Sequence, residues 1–140
     1  DMISQITVKM KIFDALYKSK ETMDEEFEEI KAWITDIIEN AERPKLDHCE
    51  ICNSKENLEQ HHVRGNKHGY ETITVCRDCH KKLTDKQRLW DTSWLDPNSK
   101  NKDAFLIRGL IDIFELKYEK THEEIYKLIA DILTEEFCYD

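Results

Sequence analysis

The 140-residue sequence predicts an α+β chain that is mostly helical, with a small central module between two amphipathic helical regions. Apolar residues recur every three or four positions on both sides of the module, which is typical of helices that bury one face. Within the module, short polar loops separate two strand-like runs at 58–63 and 72–75. We expect a helical region at 1–44, the module at 45–88 and a second helical region at 89–140, together forming one compact domain.

Two helices are predicted in the first region. The second of them has a capping-box signal at its start, Thr22 followed by Glu25. It should continue to Arg43, because the proline that follows disfavours helical backbone there. The first helix keeps a similar apolar period, although residues 7–12 also alternate like a strand. The apolar stripe of the second helix comprises Phe27, Ile30, Ile34, Ile37 and Ala41.

Two further helices are predicted in the last region. The run from Phe105 to Leu116 is apolar almost all round, which indicates a helix buried on several sides. Thr121 with Glu124 is a capping-box signal for the final helix. The apolar face of that helix comprises Ile125, Leu128, Ile129, Ile132, Leu133 and Phe137.

The module contains two Cys-x-x-Cys knuckles separated by 23 residues. Four thiolates close a tetrahedral shell around Zn²⁺, which favours sulfur ligands. The alternative is two disulfides in a small secreted protein, but knuckle spacing in a chain without a signal-peptide pattern favours metal. We therefore predict one structural Zn²⁺. Its expected ligands are Cys49, Cys52, Cys76 and Cys79, whereas Cys138 is expected to be a free thiol.

Three histidines lie between or beside the knuckles and are left free for a second, open metal site. They are the adjacent pair His61 and His62, and His80, which directly follows the second knuckle. An alternative role for His80 is to replace one cysteine as a zinc ligand, because Cys₃His sites exist. His48 and His68 are expected to be surface loop residues.

Charge is distributed unevenly along the chain. The net charge is −9, and residues 43–88 form the only region with a positive balance, at +3. An acidic chain argues against nonspecific adhesion to nucleic acid, yet a basic centre could hold a phosphate backbone locally. The alternative is that these are ordinary solvated side chains. The candidate phosphate contacts are Arg64, Lys67, Arg77, Lys81 and Lys82.

The run from Cys49 to Leu83, about a quarter of the chain, resembles the HNH endonuclease ββα-metal motif in its zinc-ribbon, treble-clef form. In that family a first knuckle precedes a His-His pair that ends a strand, and a second knuckle followed by histidine opens a helix. The helical flanks lie outside the resemblance. The matching residues are Cys49, Cys52, His61, His62, Cys76, Cys79 and His80.

The resemblance implies metal-dependent hydrolysis of DNA phosphodiester bonds. His62 would be the general base that activates water, and His61 and His80 would bind the catalytic ion, Mg²⁺ or another divalent metal. Histidine suits the base because its pKa lies near neutrality, and a cation neutralises charge that builds on the phosphate. Since neighbouring side chains on a strand point to opposite faces, a bend or strand end must bring His61 and His62 to one site.

Two positions depart from the family pattern. Glu71 stands where the family has an asparagine that braces the loop between the strands, and Asn66 is a candidate substitute. Thr84 stands where many members have a further histidine. The alternative function is a zinc-stabilised treble-clef module without catalysis that binds nucleic acid or protein.

The helical flanks offer more apolar surface than the module can cover, which predicts a homodimer or docking to a larger assembly. No apolar run is long enough to span a membrane. Metal-spaced cysteines fit a reducing compartment, so we expect a cytoplasmic protein. The chain begins with Asp1, as a fragment or a processed chain would.

Overall fold

The computed structural model describes residues 2–18, 25–65, 69–90 and 103–137, with side chains from residue 5 onward. Within these ranges it contains five helices and one two-stranded sheet, which confirms the mixed, mostly helical class. The elements are α1 (Met2–Tyr17), α2 (Glu25–Glu39), β1 (Leu58–His62), β2 (Thr72–Cys76), α3 (Arg77–Gln87), α4 (Ala104–Thr121) and α5 (Glu124–Glu136).

The two strands form an antiparallel hairpin in which Leu58 lies opposite Cys76 and His62 lies opposite Thr72. The first knuckle precedes β1. The second knuckle lies at the junction of β2 and α3, so the local order matches the predicted one. At the open end of the hairpin, Leu58 lies beside a knuckle cysteine. At the loop end, β1 finishes at the histidine pair.

Helix α2 ends at Glu39, earlier than the predicted limit at Arg43. The reason is local: the side-chain oxygen of Asn40 accepts the backbone N–H of Glu42 at 3.2 Å and so diverts the chain into a turn. Ala41 is therefore exposed and does not belong to the apolar stripe, whereas the other four members of the stripe are buried. The proposed cap at Thr22 lies outside the described residues. Residues 7–12, whose alternation also suggested a strand, lie within helix α1.

The capping box predicted at Thr121 is wrong. Thr121 is the last residue of α4, and its hydroxyl donates to the carbonyl of Lys117 at 2.7 Å. His122 then takes a left-handed conformation (φ 60°) that ends α4, and Glu123 is the N-cap of α5. A two-residue connection of this kind turns the chain back on itself, and α5 packs along α4.

One hydrophobic core joins the helical regions to the module. It receives side chains from all five helices and from the hairpin. No helix in the described ranges combines the length and the apolar character needed to cross a membrane. The largest fully buried side chains include Ile12, Leu16, Phe27, Ile34, Ile73, Leu83, Leu106 and Phe114.

Gly109 fixes how closely α4 approaches the hairpin. A Cβ atom at this position would lie only 2.8 Å from the carbonyl carbon of Val63 and closer still to its oxygen. Glycine inside a helix is normally unfavourable by about 0.5–1 kcal/mol relative to alanine. Here the missing side chain lets the α4 backbone pack directly on the residue that follows the histidine pair.

Candidate metal centre and histidine site

The four knuckle cysteines meet at one point. Their sulfur atoms all lie within 4.8 Å of one another, and the Sγ atoms of Cys52 and Cys76 are 3.7 Å apart. This spacing is compatible with four sulfurs around a single ion and is consistent with structural zinc. Among the described residues it is the one cluster of histidine, cysteine and carboxylate groups close enough to hold a metal.

The first knuckle is shaped by its own backbone. The N–H groups of Ile51 and Cys52 both point at the Sγ of Cys49, at 3.4 Å. Asn53 then adopts a left-handed conformation (φ 66°), and its N–H donates to the carbonyl of Cys49 at 2.9 Å. Asparagine tolerates this conformation better than most residues, which explains its place directly after the knuckle.

The second knuckle begins a helix. Cys76 is the last residue of β2 and the N-cap of α3, and its Sγ accepts the N–H of Cys79 at 3.5 Å. Cys79 therefore sits in the first turn of α3 and is fully buried. Strand end and helix start together aim both sulfurs at the first knuckle.

The cysteine cluster stabilises negative sulfur. A hydrogen bond from the Cys79 thiol, with further bonds from the backbone N–H groups of Cys52 and Ile51, lowers the pKa of Cys49 to about 4. The same contact and burial raise the pKa of Cys79 well above its usual value, so Cys79 keeps the shared proton. Metal binding displaces such protons because the ligand is the thiolate.

His61 and His80 face each other where β1 meets α3. Their rings are edge to face, with centroids 5.5 Å apart. His61 is 2% exposed, and burial lowers its pKa to about 3, with smaller contributions from the charges of His80 and His62. His61 is therefore neutral at physiological pH, which is the form that binds metals.

Glu59 orients His80. Its Oε1 lies 2.8 Å from Nδ1 of His80, and its Oε2 lies 3.5 Å from Nε of Arg77. A carboxylate on one ring nitrogen directs the other, Nε2, to a ligand. Glu59 escaped the sequence analysis, although it lies two positions before His61 and thus on the same face of β1.

Gln87 is a second residue of the site that the sequence analysis missed. Its side-chain amide donates to the carbonyl of His62 at 2.9 Å and lies 3.4 Å from Nε2 of His61. Gln87 is seven residues after His80, so both lie on one face of α3, and this spacing is the signal that could have found it.

His62 is the final residue of β1 and is half-buried. The N–H of Gly65 donates to its carbonyl at 3.0 Å, so the chain turns immediately after the pair. The strand therefore ends at the pair, and a site shared by His62 with His61 and His80 stays a prediction.

Glu71 and Arg64 form a buried pair at the base of the loop between the strands. Nε of Arg64 lies 3.0 Å from both carboxylate oxygens of Glu71. A Cβ atom on Gly69 would collide with this pair, so the loop backbone lies directly against it. Glu71, at the position where the sequence resemblance expects an asparagine, thus ties the start of the loop to its end. The candidate substitute, Asn66, lies outside the described residues.

The predicted phosphate contacts differ in their surroundings. Arg77 and Lys81 are exposed on one face of α3, where they line a shallow cavity of about 350 Å³ with His80 and with Arg88, which the sequence analysis did not single out. Lys81 and Arg88 both pair with Asp85, at 3.0 and 3.4 Å, and Arg77 pairs with Glu59. Lys82 does not line this cavity and pairs with Asp78 at 3.5 Å. Arg64 is held by Glu71 and is mostly buried, whereas Lys67 and His68 lie outside the described residues.

Comparison of the chain with protein-family models, curated proteins and solved structures found no match.

Proposed function

We propose that this protein is a metal-dependent endonuclease of the HNH type that hydrolyses DNA phosphodiester bonds. The observation that supports it most is the pairing of His61 on β1 with His80 on α3, with His62 next along the strand. A purely structural zinc module has no need of three histidines beside its knuckles.

A treble-clef fold of the module is part of the proposal. The order of knuckle, hairpin, second knuckle and helix supports it, as does the convergence of the four cysteines. In such a module Zn²⁺ replaces the core that a hairpin and one helix cannot build alone.

His61 and His80 would supply two imidazole ligands to a divalent ion. His61 is neutral because it is buried, and Glu59 holds Nδ1 of His80 and leaves its Nε2 for a ligand. Imidazole nitrogen suits Zn²⁺, Fe²⁺ and Ni²⁺, whereas Mg²⁺ and Mn²⁺ prefer oxygen ligands, so Ni²⁺ belongs in the test beside the Mg²⁺ first expected. Bound there, the ion would neutralise charge on the scissile phosphate.

His62 is the proposed general base. It would accept a proton from the attacking water, and Gln87 would hold its backbone in place through the carbonyl contact. DNA would approach along the exposed face of α3 that carries Arg77, Lys81 and Arg88, because these charges border the histidines.

A plasmid-nicking assay tests the activity. Purified protein with Mg²⁺, Mn²⁺ or Ni²⁺ should relax supercoiled DNA, and EDTA should stop it. His62→Ala should reduce the rate by about 10²–10⁴-fold at unchanged zinc content, because a positioned base has been removed. His48→Ala, which alters a histidine in the loop before the first knuckle, is the matched control. Wild-type cleavage by the His62 variant would assign the base, or the activity, elsewhere.

The alternative is a zinc-stabilised binding module without catalysis. The Glu71–Arg64 pair favours it, because a buried ion pair replaces the family asparagine next to the histidines. Zinc-loaded protein that binds DNA or a protein partner but never cleaves would support this alternative.

We also propose that the chain forms a homodimer or docks to a larger assembly. The main apolar faces of the flanks pack into one core. The large apolar side chains that stay exposed among the described residues are Ile6, Met10 and Tyr17 on α1 and Leu89 after α3, and they are the remaining motive. Light scattering across micromolar concentrations decides this. A constant mass near 16.8 kDa would exclude the dimer.

A further inference from the structure

Helix α4 sends one lysine to each zinc knuckle. Lys117 donates through Nζ to the backbone carbonyl of Glu50 at 2.7 Å, and Glu50 lies between the two cysteines of the first knuckle. Lys120 lies three residues later and donates to Oδ2 of Asp78 at 2.7 Å, and Asp78 lies between the two cysteines of the second knuckle. One face of α4 therefore contacts both halves of the cysteine cluster.

If Lys117 served only to fill space, burying its charge would be an unnecessary free-energy cost. Its ammonium group lies 4.6 Å from the ring centroid of Trp33 and 5.1 Å from that of Tyr126. Burial lowers the pKa of Lys117, while the neighbouring charges of Glu50, Glu123 and Cys49 oppose that effect. An apolar side chain would fill the same space between two aromatic rings without the desolvation penalty of a charge.

The cysteine cluster offers a reason for this charge. Four thiolates around one Zn²⁺ leave two uncompensated negative charges in a largely buried place. The acidic side chains within the knuckles do not add to this excess. Arg43 pairs with Glu50, and Asp78 has two lysine partners, Lys82 and Lys120, whose charges together exceed its own.

We propose that Lys117 and Lys120 stabilise the zinc-bound form of the four cysteines by compensating its excess negative charge. Both are positioning residues that act through the knuckles and do not themselves bind the metal. The inference rests on the zinc centre within the proposed function and is independent of nuclease activity.

Zinc competition against a chromophoric chelator tests the proposal, with Zn²⁺ as the only added ligand and no DNA present. Lys117→Met and Lys120→Met keep much of the side-chain length and remove the charge. Each should weaken zinc binding by about 10–100-fold, the range typical of residues that support metal ligands. Lys11→Met, an exposed lysine on α1, is the matched control and should bind zinc like the wild type.

Two further measurements separate a charge effect from a packing effect. Lys120→Arg keeps the positive charge that Lys120→Met removes, so its zinc affinity should be close to that of the wild type. Substitution by Co²⁺ should give the same thiolate charge-transfer band in wild type and variants, which would show that all four cysteines still bind. If Lys117→Met fails to fold, Lys120→Met carries the test, because Lys120 is more exposed.

Zinc affinity within about twofold of wild type in both methionine variants would overturn the proposal. So would an equal loss in Lys11→Met, or a failure of Lys120→Arg to recover affinity. Wild-type protein that contains no zinc would overturn the zinc centre and this inference together. Absence of DNA cleavage would touch neither, since the measurement uses metal alone.

Discussion

Arg43 and Glu50 form a two-pronged ion pair in which the side chains are 7% and 5% exposed. Nη1 of Arg43 donates to Oε2 of Glu50 at 2.8 Å, and Nη2 donates to Oε1. Trp33 of α2 and the backbone N–H of Thr74 on β2 donate to the same carboxylate, at 2.9 and 2.6 Å. The first knuckle is thereby joined to the helical flank and to the hairpin. Burial opposes ionisation, but the bonds from Arg43 and Trp33 keep the pKa of Glu50 below its usual value.

Arg43→Met should destabilise the folded protein by about 3–5 kcal/mol, because it leaves the carboxylate of Glu50 buried without its countercharge. Urea unfolding at neutral pH in excess zinc measures the change. Arg88→Met is the control: Arg88 is 75% exposed and should have little effect on stability. Equal unfolding midpoints for the two variants would show that the pair contributes little.

Gly109→Ala should destabilise the protein by about 1–3 kcal/mol, although glycine to alanine inside a helix is normally favourable. The reason is the collision of the new methyl group with the backbone of Val63, which must push α4 away from the hairpin. Thermal unfolding gives the comparison. Glu119→Ala, at an exposed position of the same helix, should be nearly neutral. Stabilisation by Gly109→Ala would mean that the helix and strand are not in this close contact.

Asp112→Asn should stabilise the protein at alkaline pH and have little effect at acidic pH. Burial raises the pKa of Asp112 to about 6, while the Trp90 indole N–H at 2.9 Å and Arg108 offset part of that effect. A raised pKa contributes stability below the unfolded value, near 4, and the contribution is lost as pH rises through about 6.

The asparagine avoids this loss and can still accept the hydrogen bond from Trp90. We expect a gain of up to about 3 kcal/mol at pH 8, from a shift of about two pKa units at about 1.4 kcal/mol each. Urea midpoints at about pH 4.5 and pH 8 provide the measurement. Asp131→Asn, on the exposed side of α5, is the control. A gain that is equal at both pH values would contradict the assignment to Asp112 ionisation.

Replacing Arg77, Lys81 and Arg88 together with glutamine should weaken binding to duplex DNA and flatten its salt dependence. For every phosphate that the variant no longer neutralises, the slope of log K against log salt should fall by about 0.9. Fluorescence anisotropy between about 50 and 200 mM salt measures the slope. The control removes two exposed lysines elsewhere, Lys11 and Lys127. Binding that does not change with salt would point to a protein partner.

The sequence predicted the elements better than it predicted their ends. Periodicity located the four helices of the flanks because each buries one face in a shared core. Two helix ends were misplaced by single side chains, Asn40 and Thr121, whose short-range hydrogen bonds compete with the helix pattern. Such competition depends on rotamers that a residue pattern does not specify.

In the candidate site, too, one part could be predicted from the sequence and another could not. Fixed spacing predicted that the cysteines would meet, because each knuckle is local and needs only one long-range contact. Glu50 carried no such signal: its partners Trp33, Arg43 and Thr74 lie 17, 7 and 24 residues away in the sequence. That His61, His62 and His80 perform catalysis is still a prediction.

Cys76 ends β2, caps α3 and contributes one of the four clustered sulfurs. A serine could still cap the helix, but its oxygen is a poorer zinc ligand. A histidine could still bind zinc, but it would not reproduce the contact between the side chain at position 76 and the N–H of Cys79. An aliphatic residue would continue the strand and fill neither of the other two roles. Among the four cysteines, position 76 should therefore accept the fewest replacements, and a saturation library selected for folded protein should return cysteine there almost without exception.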